Sequence, residues 1–348
     1  MSSSTIIAID LAKNVFGVEI GERHQKATMR KKLSRSELCL LLATSSPCVV
    51  AMESCANSQT WAKLAAGYGH TVNIVPTQHV KSLSIGPHKN DLRDAASIRE
   101  AASRPDMKFV ALKSDAQQEL QGLICFREGY VKNKVSLGNH LHARFSEFGV
   151  TINKGERAIA EMENYLEKNP GKFGKLFKSQ LCIAIQEYKQ LKSNIVSISK
   201  TIDIFCKEHF RDSYRRLLEI PGVGRVTAAE FLCHCGDYTA YKNGRALSAA
   251  LGLVPRDCSS GGVEKLGKIT KCGNKRLRSL LVQCALSALK AQRKDPQDDD
   301  LLIWGDKLRD RVAPKKAMVA MANKITRIVW KILATGESYN PKYRSCCA

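Results

Sequence analysis

Residues 5–20 read TIIAIDLAKNVFGVEI, and the fold of the N-terminal third follows from them. Two short runs rich in β-branched side chains, 6–10 and 15–20, flank the link LAKN, the pattern of two strands joined as a hairpin. Outward from this pair, residues 26–33 form a third strand candidate. CVVAM at 48–52 and TVNIV at 71–75 are short apolar runs that fit buried strands. Helical patterns occupy 35–42 and 58–68. The expected order is three strands, then helix, strand, helix, strand, a mixed α/β layer.

Beyond Pro105 the period changes. Leu120, Leu123, Ile124, Val131, Val135, Leu141, Phe145 and Phe148 step by three and four with few lapses, which predicts one long helix over 116–148. Pro170 and neighbouring glycines interrupt the pattern. A second long helix is expected over 179–208, where Leu181, Ile185, Tyr188, Leu191, Ile195, Ile198, Ile202 and Phe205 come close to a heptad seam. The two should pack on each other or on a second subunit. From about residue 210 the chain carries a glycine-rich hairpin, a basic loop and helices near 274–290 and 315–333. Asp298, Asp299 and Asp300 are expected to open a helix in solvent. The resulting layout is an α/β domain at 1–110, a helical coiled-coil-like dimerisation region at 111–208, and a mostly helical domain at 209–345.

The chain has 348 residues, 44% of them hydrophobic and 25% charged, enough apolar material for a packed core. Lys and Arg number 55 against 33 Asp and Glu, a net charge of +22, which favours a polyanionic partner, most simply nucleic acid. The N-terminus lacks a basic start and a long apolar stretch, and the run 38–52 is broken at Ser45, Ser46 and Pro47, so neither secretion nor a membrane span is expected. Thirteen scattered cysteines argue against a disulfide framework and for a reducing cytoplasm. Cys233, His234 and Cys235, with Cys258 and Cys272 further on, lack a paired CxxC and read as small buried side chains rather than zinc ligands.

Asp10 ends the first strand and Glu53 follows CVVAM. On adjacent parallel strands the two carboxylates would lie close together, which is costly unless cations neutralise them. Asp91 and Asp94, spaced i, i+3, share one face of a helix. Four acids converging in this way suit two Mg²⁺ ions and in-line attack on a phosphodiester; a helix N-terminal charge pair and a turn residue are the plainer alternatives. At 215–235, RRLLEIPGVGRVTAAEFLCHC places Pro221, Gly222 and Gly224 between two amphipathic segments, followed by Arg225. Such a helix-hairpin-helix lets the backbone approach a phosphate at a helix N-terminus; an ordinary helical turn is the alternative. The stretch 256–278, RDCSSGGVEKLGKITKCGNKRLR, holds Arg256, Lys265, Lys268, Lys271, Lys275, Arg276 and Arg278 against Asp257 and Glu264, a strip that can track a phosphate backbone. A serine in such a loop could serve as a phosphoryl-transfer nucleophile, although serine–glycine pairs are commonly just loops.

Taken in order, these elements resemble the DEDD transposases of bacterial insertion sequences, the IS110 family and within it the IS1111 subgroup. The stretches that carry the resemblance include AIDLAKNVF, AMESCAN, HKNDLRDA, RPDMKFVALKS, IPGVGRVTAAEF, ALSAALGLVPRDCSSGG, LGKITKCGNKRLRSLLV and KKAMVAMANKITRIVWKIL, spread from residue 5 to about 335. The resemblance implies a RuvC-like, ribonuclease H-like N-terminal domain whose Asp10, Glu53, Asp91 and Asp94 hold Mg²⁺. It implies a catalytic serine in the Ser-Gly motif, here doubled, with the role carried to Ser260 and Ser259 as the alternative. It also implies a site composed from the acidic domain of one subunit and the serine domain of another, in a homodimer or tetramer. The partners implied are double-stranded donor and target DNA and a structured non-coding guide RNA that pairs with both, leaving backbone holding to the protein, in a bacterial cytoplasm near the nucleoid. One departure is Asn90-Asp91-Leu92, where the family often has Thr-Asp-Arg. Two other readings stay open from the residues: a junction-resolving nuclease using water with the same metals, and a non-enzymatic nucleic-acid scaffold.

Overall fold

β1 (Thr5–Asp10) is apolar on both faces because both faces are covered. The computed structural model describes residues 5–83, 91–234, 238–260 and 262–342, and the chain divides into two compact units, Met1–Ser114 and Asp115–Ala348. In the first, β1 is followed by β2 (Val15–Glu22), β3 (Met29–Ser34), α1 (Arg35–Thr44), β4 (Val49–Glu53), α2 (Ser58–Gly67), β5 (Thr71–Val75), α3 (Thr77–Leu83) and α4 (Asp91–Ser103). The sheet order is β3-β2-β1-β4-β5. The pairs β1–β2 and β2–β3 are antiparallel, and β1–β4 and β4–β5 are parallel. All five anticipated strands form. β3 starts at Met29 rather than residue 26; the turn before it is held by Arg99, which donates to the carbonyls of Glu22 and Gln25 at 2.9 Å each.

Strand alternation sorts the core into two layers. Ile7, Ile9, Val50 and Met52 pack under Leu38 and Leu42 of α1 and Trp61 of α2, where Phe16 meets Trp61 edge-on at 5.0 Å. Ile6, Ala8, Val49 and Ala51 pack on the other face under Val80 of α3 and Ile98 and Ala101 of α4. Glu19 of β2 is fully buried, with Arg99 Nε 2.6 Å from Oε1 and Arg30 Nε 2.6 Å from Oε2. This ties α4 to the sheet.

The second unit contains α5 (Asp115–Glu147), α6 (Ala158–Lys168), α7 (Lys175–His209), α8 (Arg211–Leu218), α9 (Arg225–His234), α10 (Gly244–Ala250), β6 (Pro255–Asp257), β7 (Leu266–Ile269), α11 (Lys275–Lys294), α12 (Asp300–Arg311) and α13 (Pro314–Thr335). The long helices α5 and α7 pack along each other. Leu141, Phe145, Leu181 and Ile185 of their apolar stripes form one core with Met162 and Leu166 of α6. Leu120, Ile124, Ile202 and Cys206 join a larger core with Phe231, Leu281, Met321 and Ile325. Helices α3, α6 and α10 are additions to the sequence-based expectation. Each is short, so few apolar positions report its period. Among the described residues no helix is long and apolar enough to cross a membrane.

Asp203 of α7 holds the start of the helical hairpin. Its carboxylate accepts hydrogen bonds from Tyr214 Oη at 2.8 Å and Lys207 Nζ at 2.7 Å, and Arg225 Nε lies 3.5 Å away. Burial alone raises the carboxyl's pKa, but the hydrogen bonds from Lys207 and Tyr214 and the charges of Arg225 and Lys207 outweigh it and hold it below the ordinary range. Asp299 corrects the expectation of a solvated helix start. It does cap α12, accepting from the backbone N–H groups of Leu301 and Leu302, but it is buried and also accepts from Tyr339 Oη at 2.9 and 3.0 Å.

Three stability outcomes are expected. Glu19→Ala leaves Arg99 without its buried partner and should cost the first unit about 3–5 kcal/mol, read as a lower urea midpoint. Gly222, between α8 and α9, has φ +81°, and a Cβ there would lie 2.3 Å from the Cys284 carbonyl oxygen. Gly222→Ala should therefore destabilise the second unit by about 1–3 kcal/mol in the same assay. Because the folded pKa of Asp203 is depressed, its contribution is complete above the unfolded value near 4 and disappears as pH falls through the folded value. Asp203→Asn should lower stability at neutral pH and flatten its decline below about pH 4.

Candidate active site

The register of the sheet brings two acids together. Ile9 of β1 pairs with Met52 of β4, so Asp10 and Glu53 are the next neighbours along these parallel strands. Asp10 has the parity of Ile6 and Ala8, and Glu53 that of Val49 and Ala51, so both belong to the face covered by α4. Asp10 pairs across the hairpin with Gly17. A Cβ on Gly17 would lie 2.6 Å from the carbonyl oxygen of Asp91. The bare backbone at Gly17 is what lets the first turn of α4 rest on β2, next to the strand that carries Asp10. Asp94 lies one turn on, half-buried, in the stripe that continues through Ile98 and Ala101.

Asp91 accepts a hydrogen bond from Lys32 Nζ of β3 at 2.7 Å, with both side chains about half exposed. Among the described residues, no three His, Cys, Asp or Glu side chains stand close enough together to hold a metal ion. The four carboxylates thus share one face of the unit without forming a closed ligand set. As hard oxygen donors they suit a divalent cation in kind. His88, Lys89 and Asn90, which precede Asp91 in the motif, lie outside the described residues. Sequence reasoning missed Gly17, Glu19, Arg99 and Lys32. The available signal was Glu19, an acid set within the apolar run 15–20 of β2.

The serine motif sits at the end of a small two-stranded ribbon. β6 and β7 pair antiparallel, and the Cys258 N–H extends the ladder by donating to the Lys265 carbonyl at 2.9 Å. Ser259 is built into this ribbon. Its N–H donates to Asp257 Oδ1 at 2.9 Å, and its hydroxyl accepts from the Lys265 N–H at 3.0 Å. Hydrogen bonds from the Ser259 side chain and backbone hold the Asp257 carboxyl below its ordinary range. Ser260 forms a bridge with Val263, whose N–H donates to the Ser260 carbonyl at 3.1 Å. Ser260 is exposed, and its hydroxyl makes no hydrogen bond among the described residues. Gly261 lies outside them, as does Cys235.

The expected cationic strip divides in two. Lys265, Lys268, Lys271 and Lys275 are exposed. The arginines are engaged by the protein. Arg256, though exposed, donates to the Thr270 carbonyl at 3.4 Å. Arg278 donates to the carbonyls of Leu251 at 3.0 Å and Cys272 at 2.7 Å, fixing the loop that precedes α11. Arg276 is only 20% exposed, paired with Glu128 at 2.6 Å and Glu230 at 3.2 Å. In the helical hairpin, Gly222 makes its close approach to Cys284 and Ala288 of α11, so its freedom serves internal packing. Gly224 and Arg225 are exposed at the start of α9, and Pro221 is half-buried. Cys233 is buried as expected, but Cys258 and Cys272 are exposed, against the expectation of buried side chains, because they lie in and beside the solvent-facing ribbon of β6 and β7.

Known proteins share this chain's sequence along its length. A family model described as transposase, of the DEDD IS110 type, matches residues 7–149, and one described as transposase IS116/IS110/IS902 family matches residues 214–299. The transposase for insertion sequence element IS1328 of Yersinia enterocolitica is 35% identical over 98% of this chain and 100% of its own length. A probable family 20 transposase of Pseudomonas aeruginosa is 33% identical over 96% of this chain and 98% of its own. The transposase for insertion sequence element IS1111A of Coxiella burnetii is 31% identical over 97% of this chain and 92% of its own. With similarity of this extent and both halves matched, the chain belongs to the IS110 family of insertion-sequence transposases, enzymes that cut and rejoin DNA.

Proposed function

We propose that this chain recombines the DNA of its own insertion sequence through a serine nucleophile, guided by a structured non-coding RNA that pairs with donor and target. In this reading residues 1–110 are a RuvC-like nuclease domain, residues 111–208 mediate subunit contact, and residues 209–345 present the serine. The observation that carries it is the placement of Asp10 and Glu53 at the ends of adjacent parallel strands, with Asp91 and Asp94 on the helix that covers this face. These four residues would hold Mg²⁺, which would neutralise charge on the scissile phosphate.

Ser260 is the proposed nucleophile. It is exposed with an unengaged hydroxyl among the described residues, whereas the Ser259 hydroxyl is engaged by the Lys265 backbone. In the covalent step an Oγ–P bond forms and the bond from phosphorus to the leaving strand's oxygen breaks. The serine proton passes to water, and the leaving oxygen takes one up. A hydroxyl from the second strand then attacks phosphorus, which releases the serine and joins the DNA. Lys265 and Lys268, exposed on the same ribbon, would favour the charged phosphoryl group. Exposed lysines without interleaved aromatic residues suit holding a backbone and leave sequence choice to base pairing. A homodimer or tetramer would let the serine of one subunit meet the acids of another.

The test is a denaturant-resistant protein–DNA adduct. Full-length protein is incubated with element-derived RNA, Mg²⁺ and end-labelled donor and target DNA. The adduct should form with the wild type and with Ser259→Ala, and vanish with Ser260→Ala. Asp10→Ala and Glu53→Ala should abolish recombination while DNA binding persists. Cleavage without an adduct would replace the serine mechanism by hydrolysis. Normal recombination by either acid variant would remove the tetrad from the chemistry.

A further inference from the structure

The second unit contains a cavity of about 380 Å³ whose lining, among the described residues, includes none of the serine ribbon. It is bounded by α13, the first residues of α10 and the segment that follows α13. Among the described residues, Arg245, Lys324, Arg327 and Lys331 line it, together with one acid, Glu337. Lys331 pairs with Glu337 at 2.9 Å, and Arg245 is exposed. Aromatic and aliphatic side chains complete it, Trp330 of α13 and Tyr339 among them.

The walls are preformed. Tyr339 Oη donates to buried Asp299, the Tyr339 N–H donates to Glu219 Oε2 at 3.1 Å, and the Asp300 N–H donates to the Pro341 carbonyl at 2.9 Å. Trp330 Nε1 donates to the carbonyls of Tyr238 at 3.2 Å and Tyr241 at 3.0 Å, which fixes the indole. The Lys324 ammonium lies 4.3 Å from the centre of the Trp304 ring. A rigid cavity with aromatic and aliphatic walls and an exposed arginine at its edge is complementary to a flat ring joined to an anion. Its volume falls within the range of small-molecule sites, at the size of one nucleotide rather than a duplex.

We propose that this cavity binds a nucleoside phosphate, in the protein's own setting one nucleotide of a single strand held out of its stack. The ring lies against the aromatic and aliphatic wall, and exposed Arg245 faces the phosphate. A strand passing the cavity would be anchored at one base without sequence readout by the serine ribbon. The inference rests on the nucleic-acid reading of the chain, but it does not depend on strand transfer or on Ser260.

The test uses full-length protein and a single-stranded RNA of about six nucleotides containing iodouridine, a length within the range of single-strand sites. Ultraviolet cross-linking followed by peptide mass spectrometry should place the adduct on Trp330 or Tyr339. Exposed Arg245, changed as Arg245→Gln, should weaken binding of the short strand about tenfold, the size of one lost stacking or phosphate anchor, and change duplex DNA affinity much less. Lys290→Gln, a charge loss on α11 outside the cavity, should leave the short strand's affinity unchanged. Competition by free uridine monophosphate would show that the cavity accepts a nucleotide from solution; a cross-link that resists it would assign the cavity to nucleotides within a strand. Either result supports the site. Cross-links confined to other peptides, or equal loss of duplex and single-strand binding in Arg245→Gln, would overturn it. Loss of the Ser260 adduct is read in a separate assay, so failure of either proposal is distinguishable from failure of the other.

Discussion

A carboxylate with no access to water, Glu19, is held between two guanidinium groups, and the placement of α4 turns on it. Desolvating an acid is tolerable only when its charge is met at close range. Arg99 meets it from α4 and Arg30 from β3, while the same Arg99 bonds the carbonyls of the β2–β3 turn. One side chain thus ties helix, strand and turn together. Asp91 and Asp94 precede Arg99 on the same helix, within about two turns of it. Asp91 and Asp94 are therefore positioned by an ion pair further along their own helix. Gly17 supplies the matching steric condition, since any side chain there would lift the start of α4 from the sheet.

The second unit separates its cations by task. Arg276 and Arg278 use their several fixed donors to bind carboxylates and backbone carbonyls of the protein itself. The lysines of the same strip stay in solvent, where a flexible point charge suits a phosphate backbone. The net charge of +22 therefore overstates the surface available for nucleic acid in this strip. A similar division holds in the helical hairpin. Gly222 is consumed by packing on α11, while Gly224 and Arg225 remain at the surface.

Much of the fold was legible in local pattern. The five strands, α1, α2 and the long helices α5 and α7 each carry enough apolar positions for their period to stand out. Short helices such as α6 do not. The acids Asp10 and Glu53 were legible because each ends an apolar strand, where side chains pass from core to solvent. Asp299 misled because neighbouring acids suggest exposure, and the donor that helps to bury it is Tyr339, far along the chain. The structural use of Arg276 was hidden for the same reason, since its partners lie on α5 and α9.

Local sequence was sufficient for the secondary elements, the basic character and the residue types capable of metal binding and nucleophilic attack. These depend on side-chain chemistry and on short periods along the chain, both of which can be read within a window of a few residues. Folding in three dimensions was needed to set Asp10 beside Glu53, to clasp α4 through Glu19 and to turn particular arginines inward. It was needed as well to tie one of two adjacent serines into a ribbon and leave the other in solvent. Each of these is a meeting of groups set by strand register and close packing, and no local pattern encodes the partner.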